Sequence, residues 1–257
     1  MEMRRVVITG MGVVSPVGND LETTWNNLID GVCGIAPIAS FDTTDLPVKI
    51  AGEVKDFDPI AAGVDKSFAK RNDRFAIYAM AAAIQAMQGN EDMQLDPKRL
   101  GVYIGSGIGG FDTILRETKK LYDEGPRWIS ALMIPTMIGN MASGSVAIRY
   151  NAQGPTLPIV TACATGTHSI GEAYRAIKHG YADAIISGGC EAGVNPISIA
   201  GFANAKALTK VEDPLRASLP FHKDRQGFVI AEGAGIVLLE EYEHAKQRGA
   251  RIYGEVC

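Results

Sequence analysis

The chain has no C-x-x-C pair. Its four cysteines, Cys33, Cys163, Cys190 and Cys257, lie far apart, which excludes the usual zinc-ligand spacings and a disulfide framework. Reduced thiols and a cytoplasmic location are the simplest expectation. Histidine is scarce, with only His168, His179, His222 and His244. Basic charge is not in excess: 25 Lys and Arg face 29 Asp and Glu. General nucleic-acid binding, which shows as a basic domain, is therefore not expected. The longest helix-like apolar stretch, Phe75 to Met87, is Ala-rich and short of the roughly 20 residues a membrane-spanning helix needs, so no membrane insertion is expected. The opening Met1-Glu-Met-Arg-Arg-Val has no signal-peptide core. Internal repeats, low-complexity tracts and a clear linker are also lacking. The remainder is ordinary for a globular protein, with 257 residues, 46% hydrophobic and 21% charged. That length is ample for a sizeable core.

One stretch organises the rest. The apolar run Leu157 to Ala162 ends at Cys163, and a helix-like pattern follows to about His179. This predicts a strand, a turn and a helix with a thiol at the bend. N–H groups at a helix start are unpaired, and the helix dipole favours negative charge there. A thiolate so placed can titrate below the roughly 8.5 of a free cysteine. Ala162, Ala164 and Gly166 are small enough to let a substrate approach the sulfur. The plain alternative is a cysteine that simply packs. A cysteine nucleophile normally works with a base. His168, five positions on, points about 140° away around a helix axis. His179 sits near the helix C-terminus, His222 in a Pro-rich loop, and His244 on an exposed, charged helix. The residues offer no convincing Cys-His pair.

Elsewhere, buried strands are expected at residues 5–10, 100–107, 183–190 and 233–240, with a further one opening at 252–257. Helices are expected at 20–30, through the later part of 67–87, and at 111–124, 137–150 and 241–248. Residues 34–64 read as an irregular surface excursion. The alternation implies an α/β layered sheet, mostly parallel in its first strands. Two glycine strings invite a nucleotide-loop reading. In Gly10-Met-Gly12-Val-Val-Ser15 a serine stands where the third glycine belongs and Pro16 follows, so a plain glycine-rich turn is expected. Gly105-Ser-Gly107-Ile108-Gly109-Gly110 fits G-x-G-x-x-G and follows a strand, but the confirming acidic residue is doubtful. A basic cluster at Lys66, Lys70, Arg71 and Arg74 could meet an acidic partner or be a solvated helix end.

Taken together, several segments resemble a known family. They are Val6 to Gly18, Gly105 to Gly110, Gly154-Pro-Thr with Thr161-Ala-Cys163-Ala-Thr-Gly166, Ser187-Gly-Gly-Cys-Glu191, and Phe221 to Gly235. In this order they resemble the β-ketoacyl-acyl-carrier-protein synthase II enzymes, the elongating condensing enzymes of bacterial fatty acid synthesis. The resemblance implies the thiolase-like fold, a layered α/β sheet between helices, with residues 1–257 as its N-terminal half and the C-terminal half absent. It implies that Cys163 accepts an acyl chain, which then condenses with malonyl-carrier protein. The helping histidines and a lysine belong to the other half, so the chain alone is not expected to complete condensation. No metal or organic cofactor is implied. Ile108 and Phe202 match acyl-pocket positions. Lys66, Lys70, Arg71, Arg127 and Lys206 match the basic surface that receives the acidic acyl carrier protein, and a homodimer is implied for the full-length protein. His222, Gln226 and Ala231 depart from the family's usual Asp, Asp and Gly, and Cys190 from Ala or Thr. A polyketide-type condensing enzyme and a non-catalytic carrier-binding module are the alternatives.

Overall fold

The computed structural model describes residues 4–257. Chain order is β1 (Val6–Val14), α1 (Leu21–Ile29), β2 (Ala36–Pro37), β3 (Ile50–Ala51), α2 (Lys66–Arg71), α3 (Arg74–Met87), β4 (Leu100–Gly105), α4 (Phe111–Asp123), α5 (Met133–Met137), α6 (Met141–Arg149), α7 (Thr165–Lys178), β5 (Ala184–Glu191), α8 (Pro196–Asn204), α9 (Pro214–Ala217), β6 (Gly233–Glu241), α10 (Tyr242–Gln247) and β7 (Gly254–Val256). Four long strands and the short β7 form one sheet in the order β4-β5-β6-β1-β7. Only β4 and β5 pair in parallel; β6 runs antiparallel to both β5 and β1, and β7 antiparallel to β1. The first three strands of this sheet in chain order, β1, β4 and β5, therefore run the same way, as expected, and β6 and β7 run against them. Hydrophobic runs predict that strands exist, but β6, the penultimate strand in sequence, inserts beside β1.

Alternation along the strands feeds two cores. Val102 and Ile104 of β4, Ile186 of β5 and Leu238 of β6 face α3 and α6. Tyr103, Ile185 and Leu239 face α7 with Ala173 and Ile177. Helix α3 is alanine-rich because it is buried nearly all round and lies very close to the sheet. A Cβ on Gly10 would sit 1.8 Å from the Ala86 carbonyl oxygen, and one on Gly12 would sit 2.0 Å from that of Ala82. The first Gly-x-Gly is thus a packing device inside β1, and the chain turns only at Ser15 to Gly18.

The excursion at 34–64 is more than surface. Val48, Ile50 and Ala51 are buried with Val194, Ile199 and Leu208 in a third small core, and β2 pairs with β3. The alternating Val48-Lys-Ile50 carries that signal. The helix expected at 137–150 forms as α6 and starts only at Met141, because Met137 ends the separate short helix α5. His244 is not exposed. Its Nδ1 lies 2.6 Å from Oε1 of fully buried Glu240. Burial works to raise the Glu240 carboxyl, but bonds from Arg248, Thr9 and His244 hold it below its usual range. Among the described residues, no helix is long and apolar enough to cross a membrane.

At the end of the sheet where β4 and β5 begin, Asp183 joins Arg99 and Arg4. The Arg99 hydrogen bond, helped by Arg4, outweighs burial and holds the carboxyl down to about 2 from 3.8. A depressed folded-state pKa stabilises above the unfolded value and is lost as pH falls through the folded one. Wild type should therefore lose stability more steeply than Asp183→Asn between about pH 4 and about pH 2. Urea midpoints across that range check this; parallel slopes would contradict it.

Candidate active site

Residues 155–161 run along the outer edge of β4. The Val102 N–H donates to the Pro155 carbonyl at 3.0 Å, and the Leu157 N–H to the Val102 carbonyl at 3.1 Å. Pairing stops after that one bridge, and the expected strand at Leu157 to Ala162 does not form. Pro158 has no N–H to offer a ladder. Beyond it the chain crosses close over the end of β4, where a Cβ on Gly105 would meet the Ile159 carbonyl oxygen at 2.0 Å.

Ala162, Cys163 and Ala164 then form a single tight turn before α7. Ala162 has φ +52, a left-handed conformation that costs a non-glycine residue about 1–2 kcal/mol. The reversal leaves Cys163 exposed one turn ahead of a 14-residue helix. Three contacts fix it. The Thr161 N–H donates to Thr165 Oγ1 at 2.8 Å, His168 Nδ1 hydrogen-bonds with Thr161 Oγ1 at 2.6 Å, and Gly166 packs on Gly189, where an added Cβ would stand 2.9 Å from the Gly166 Cα. Among the described residues the Cys163 N–H has no acceptor, so it can donate to a developing oxyanion. His168, His222 and His244 bond with Thr161, Asp224 and Glu240 rather than with the thiol. Cys190 is a contrast. It is buried against the Gly105 carbonyl, and burial pushes its thiol well up.

The string at 105–110 is not a phosphate cradle. The Gly107, Gly109 and Gly110 N–H groups donate to Glu191 Oε2, Ser106 Oγ and the Met137 carbonyl. Helix α4 follows, and Asp73 already occupies its N-terminus, accepting the Thr113 N–H and hydroxyl at 2.8 and 2.7 Å. With its donors taken and two carboxylates nearby, the loop has no place for a pyrophosphate. Its glycines instead allow close packing. Positions for Cβ atoms on Gly109 and Gly110 fall within 2.7 Å of α5 backbone, and one on Gly107 falls 4.0 Å from the Ala162 Cα. Gly107 is thereby held beside Ala162, and Ile108, the next residue, is exposed.

The other sequence-derived positions are spread around this centre. Phe202, on α8, stacks edge-on against Phe228 at 5.4 Å; no hydrogen bond or aromatic contact joins it to the Cys163 turn. Lys66, Lys70 and Arg71 lie on α2, Arg127 in a short turn before α5, and Lys206 just past α8. All five are exposed, and none joins an ion pair among the described residues. The end of α2 touches the site's frame, since Thr136 Oγ1 donates to the Arg71 carbonyl at 3.2 Å. Arg74 belongs elsewhere. It is bound to Asp112 at 2.6 Å and to buried Glu232 at 3.0 Å. Of the departures, His222 and Gln226 are exposed. Ala231 faces Gly52, whose missing Cβ would stand 2.9 Å from the Ala231 Cβ, so the glycine across the bridge makes room for the alanine.

Sequence reasoning missed Glu191, Asp73 and the Arg74–Glu232 pair. Glu191 ends β5, accepting the Ser106 hydroxyl at 3.0 Å and the Gly107 N–H at 2.8 Å. Burial raises its carboxyl, against those bonds. The only sequence signal was an acidic residue ending an apolar strand.

A mixed sheet between helix layers, with an exposed cysteine on a strained turn at a helix start, defines an α/β protein with a candidate cysteine site. The chain belongs to the β-ketoacyl synthase family: the model described as "Beta-ketoacyl synthase, N-terminal domain" matches residues 3–245. It is 48% identical over 259 residues to the 3-oxoacyl-[acyl-carrier-protein] synthase 2 of Synechocystis sp., covering 100% of this chain and 62% of that protein. The same-named protein of Staphylococcus aureus (strain COL) is 48% identical over 258 residues, covering 98% and 61%. The chain thus spans about three fifths of the curated relatives it matches. Among solved structures, a β-ketoacyl synthase from Burkholderia phymatum superposes with TM-score 0.88 at 29% identity, covering 98% of this chain and 63% of that one. A type II PKS acyl-carrier protein in complex with its ketosynthase bound to the hexaketide gives TM-score 0.85 at 34% identity, covering 99% and 62%. These likenesses bear out the thiolase-like α/β fold.

Proposed function

We propose that this chain is the nucleophile-bearing part of a β-ketoacyl-acyl-carrier-protein synthase of fatty acid elongation. The observation that carries this is the exposed Cys163 thiol on its strained turn at the start of α7. The Cys163 sulfur attacks an acyl thioester carbonyl, the new thioester forms on Cys163 as the bond from the carbonyl to the carrier's sulfur breaks, and the carrier's thiol leaves with the proton that the Cys163 thiol gives up. The free Cys163 N–H lies where it can steady the oxyanion of that step. In the whole protein, malonyl-carrier protein then loses carbon dioxide, and its carbanion attacks the Cys163 thioester. Ile108 and Phe202 bound the acyl pocket, and the unpaired Lys66, Lys70, Arg71, Arg127 and Lys206 receive the acidic carrier. The setting is cytoplasmic. Exposed Ile134, Ile138, Ile148, Leu157 and Val160 support pairing of the whole protein with a second copy.

His168, His222 and His244 bond with Thr161, Asp224 and Glu240, and among the described residues no histidine is bonded to Cys163. Given acyl- and malonyl-carrier protein, the chain is expected to take up the acyl group and release no carbon dioxide above a blank. Carbon dioxide release at a steady rate would contradict this; absence of acyl uptake would remove the proposal. A second reading, a polyketide-type condensing enzyme, is favoured by the 34% identical ketosynthase structure. Profiling the full-length protein on saturated acyl against poly-β-keto substrates separates the two.

A further inference from the structure

We infer that Glu191 is a positioning residue: its carboxylate braces the 106–109 loop against the Cys163 turn and thereby sets how large a group can reach the thiol. The brace is explicit. Ser106 Oγ donates to Glu191 Oε1 at 3.0 Å and the Gly107 N–H to Oε2 at 2.8 Å. The same hydroxyl accepts the Gly109 N–H at 2.9 Å. The loop is clamped from both sides, because a Cβ on Gly107 would lie 2.8 Å from Glu191 Oε2 and 3.8 Å from the Ala162 carbonyl oxygen. Ile108 is the next residue and is exposed, so the clamp that holds Gly107 against Ala162, the neighbour of Cys163, also fixes the backbone from which the Ile108 side chain projects. Among the described residues Glu191 has no bond to Cys163, and its carboxylate acts on the turn through this loop. Its effect is on access, and the extension from access to acyl selectivity rests on the function proposed above.

Hydrogen-bond chemistry predicts a pattern across variants. Glu191→Gln keeps one oxygen for the Gly107 N–H, and its amide can donate to Ser106 Oγ, which turns from donor to acceptor. Glu191→Ala leaves both loop groups unpaired. Ser106→Ala removes one partner only.

The test alkylates the purified chain with iodoacetamide and, separately, with N-phenylmaleimide, reading the Cys163 peptide by mass. Circular dichroism melting is followed in parallel. Glu191→Ala is expected to raise the phenylmaleimide-to-iodoacetamide rate ratio about tenfold, Ser106→Ala less in the same direction, and Glu191→Gln hardly at all. In an Ile108→Ala background the Glu191→Ala change should add little, because both act through one side chain. If Glu191→Ala fails to fold, Ser106→Ala decides by the same ratio. A merely structural role would lower the melting midpoint and leave the ratio unmoved, as expected for Glu240→Gln at the other end of the sheet. An unchanged ratio in folded Glu191→Ala or Ser106→Ala, or full additivity with Ile108→Ala, overturns the proposal. Alkylation needs no acyl donor. A shifted ratio with no acyl uptake by any variant would therefore uphold the brace while removing the acyl reading.

Discussion

Gly105→Ala is expected to lower stability by about 3 kcal/mol or more, since overpacking of this kind forces backbone to move. The melting midpoint should fall by roughly 6–12 °C for a chain of this size. The new Cβ would stand 2.0 Å from the Ile159 carbonyl oxygen and 2.3 Å from Thr165 Cγ2. Neither is the free end of a flexible side chain: one is backbone, and the other is a β-branched residue bonded to the Thr161 N–H. Relief must come from lifting the 155–161 segment, which carries the Cys163 turn. Iodoacetamide labelling of Cys163 in whatever protein folds should therefore depart from wild type as well. Gly171→Ala is the matched control. Gly171 lies within α7, and a Cβ there meets nothing within 4 Å. It should stabilise by about 0.5–1 kcal/mol through helix propensity. Equal effects of the two substitutions would show that close packing does not hold the turn.

The triple reversal Lys66→Glu, Lys70→Glu, Arg71→Glu is expected to weaken binding of an acidic acyl carrier protein by about a hundredfold at low salt. The wild-type affinity should itself fall as ionic strength rises, because exposed charges are screened within a Debye length. These three cations are exposed on α2 and unpaired, so reversing them disrupts no internal ion pair. Arg74→Ala should behave oppositely. It strands Glu232, which is 6% exposed, so the expected loss is in folding, with carrier affinity kept in the folded fraction. Fluorescence anisotropy with labelled carrier protein at two salt concentrations, beside melting curves, separates the two. Salt-independent binding, or loss of carrier affinity in folded Arg74→Ala, would contradict the assignment of the basic surface.

The sequence made Cys163 legible as a candidate nucleophile because its signals are local: an apolar run, a cysteine, small neighbours and a helix start within ten residues. The buried helix α3 was legible for the same reason, through its alanines. What was not legible depends on distant chain. The antiparallel partners of β1 are the last two strands, over two hundred residues away. The edge segment at 157–162 has a strand's composition, but Pro158 and the crossing over Gly105 deny it a ladder. The packing role of the two glycine strings was not legible, because their missing Cβ positions are filled by Ala82, Ala86, Ile159 and Met137 backbone. Glu191 is a lone acidic residue in sequence, and its partners Ser106 and Gly107 lie 85 and 84 positions earlier. Arg74 read with its basic neighbours as surface because Glu232 lies 158 positions on.

The most direct measurement is the mass of the purified chain after incubation with acyl-carrier protein, resolved to peptides, with Cys163→Ala beside it. One acyl group is expected on the Cys163 peptide, with none on Cys33, Cys190 or Cys257 and none in the variant. Absence of the adduct, with Cys163 still open to iodoacetamide and carrier still bound in a salt-sensitive way, would contradict the account and mark the chain as a carrier-binding module.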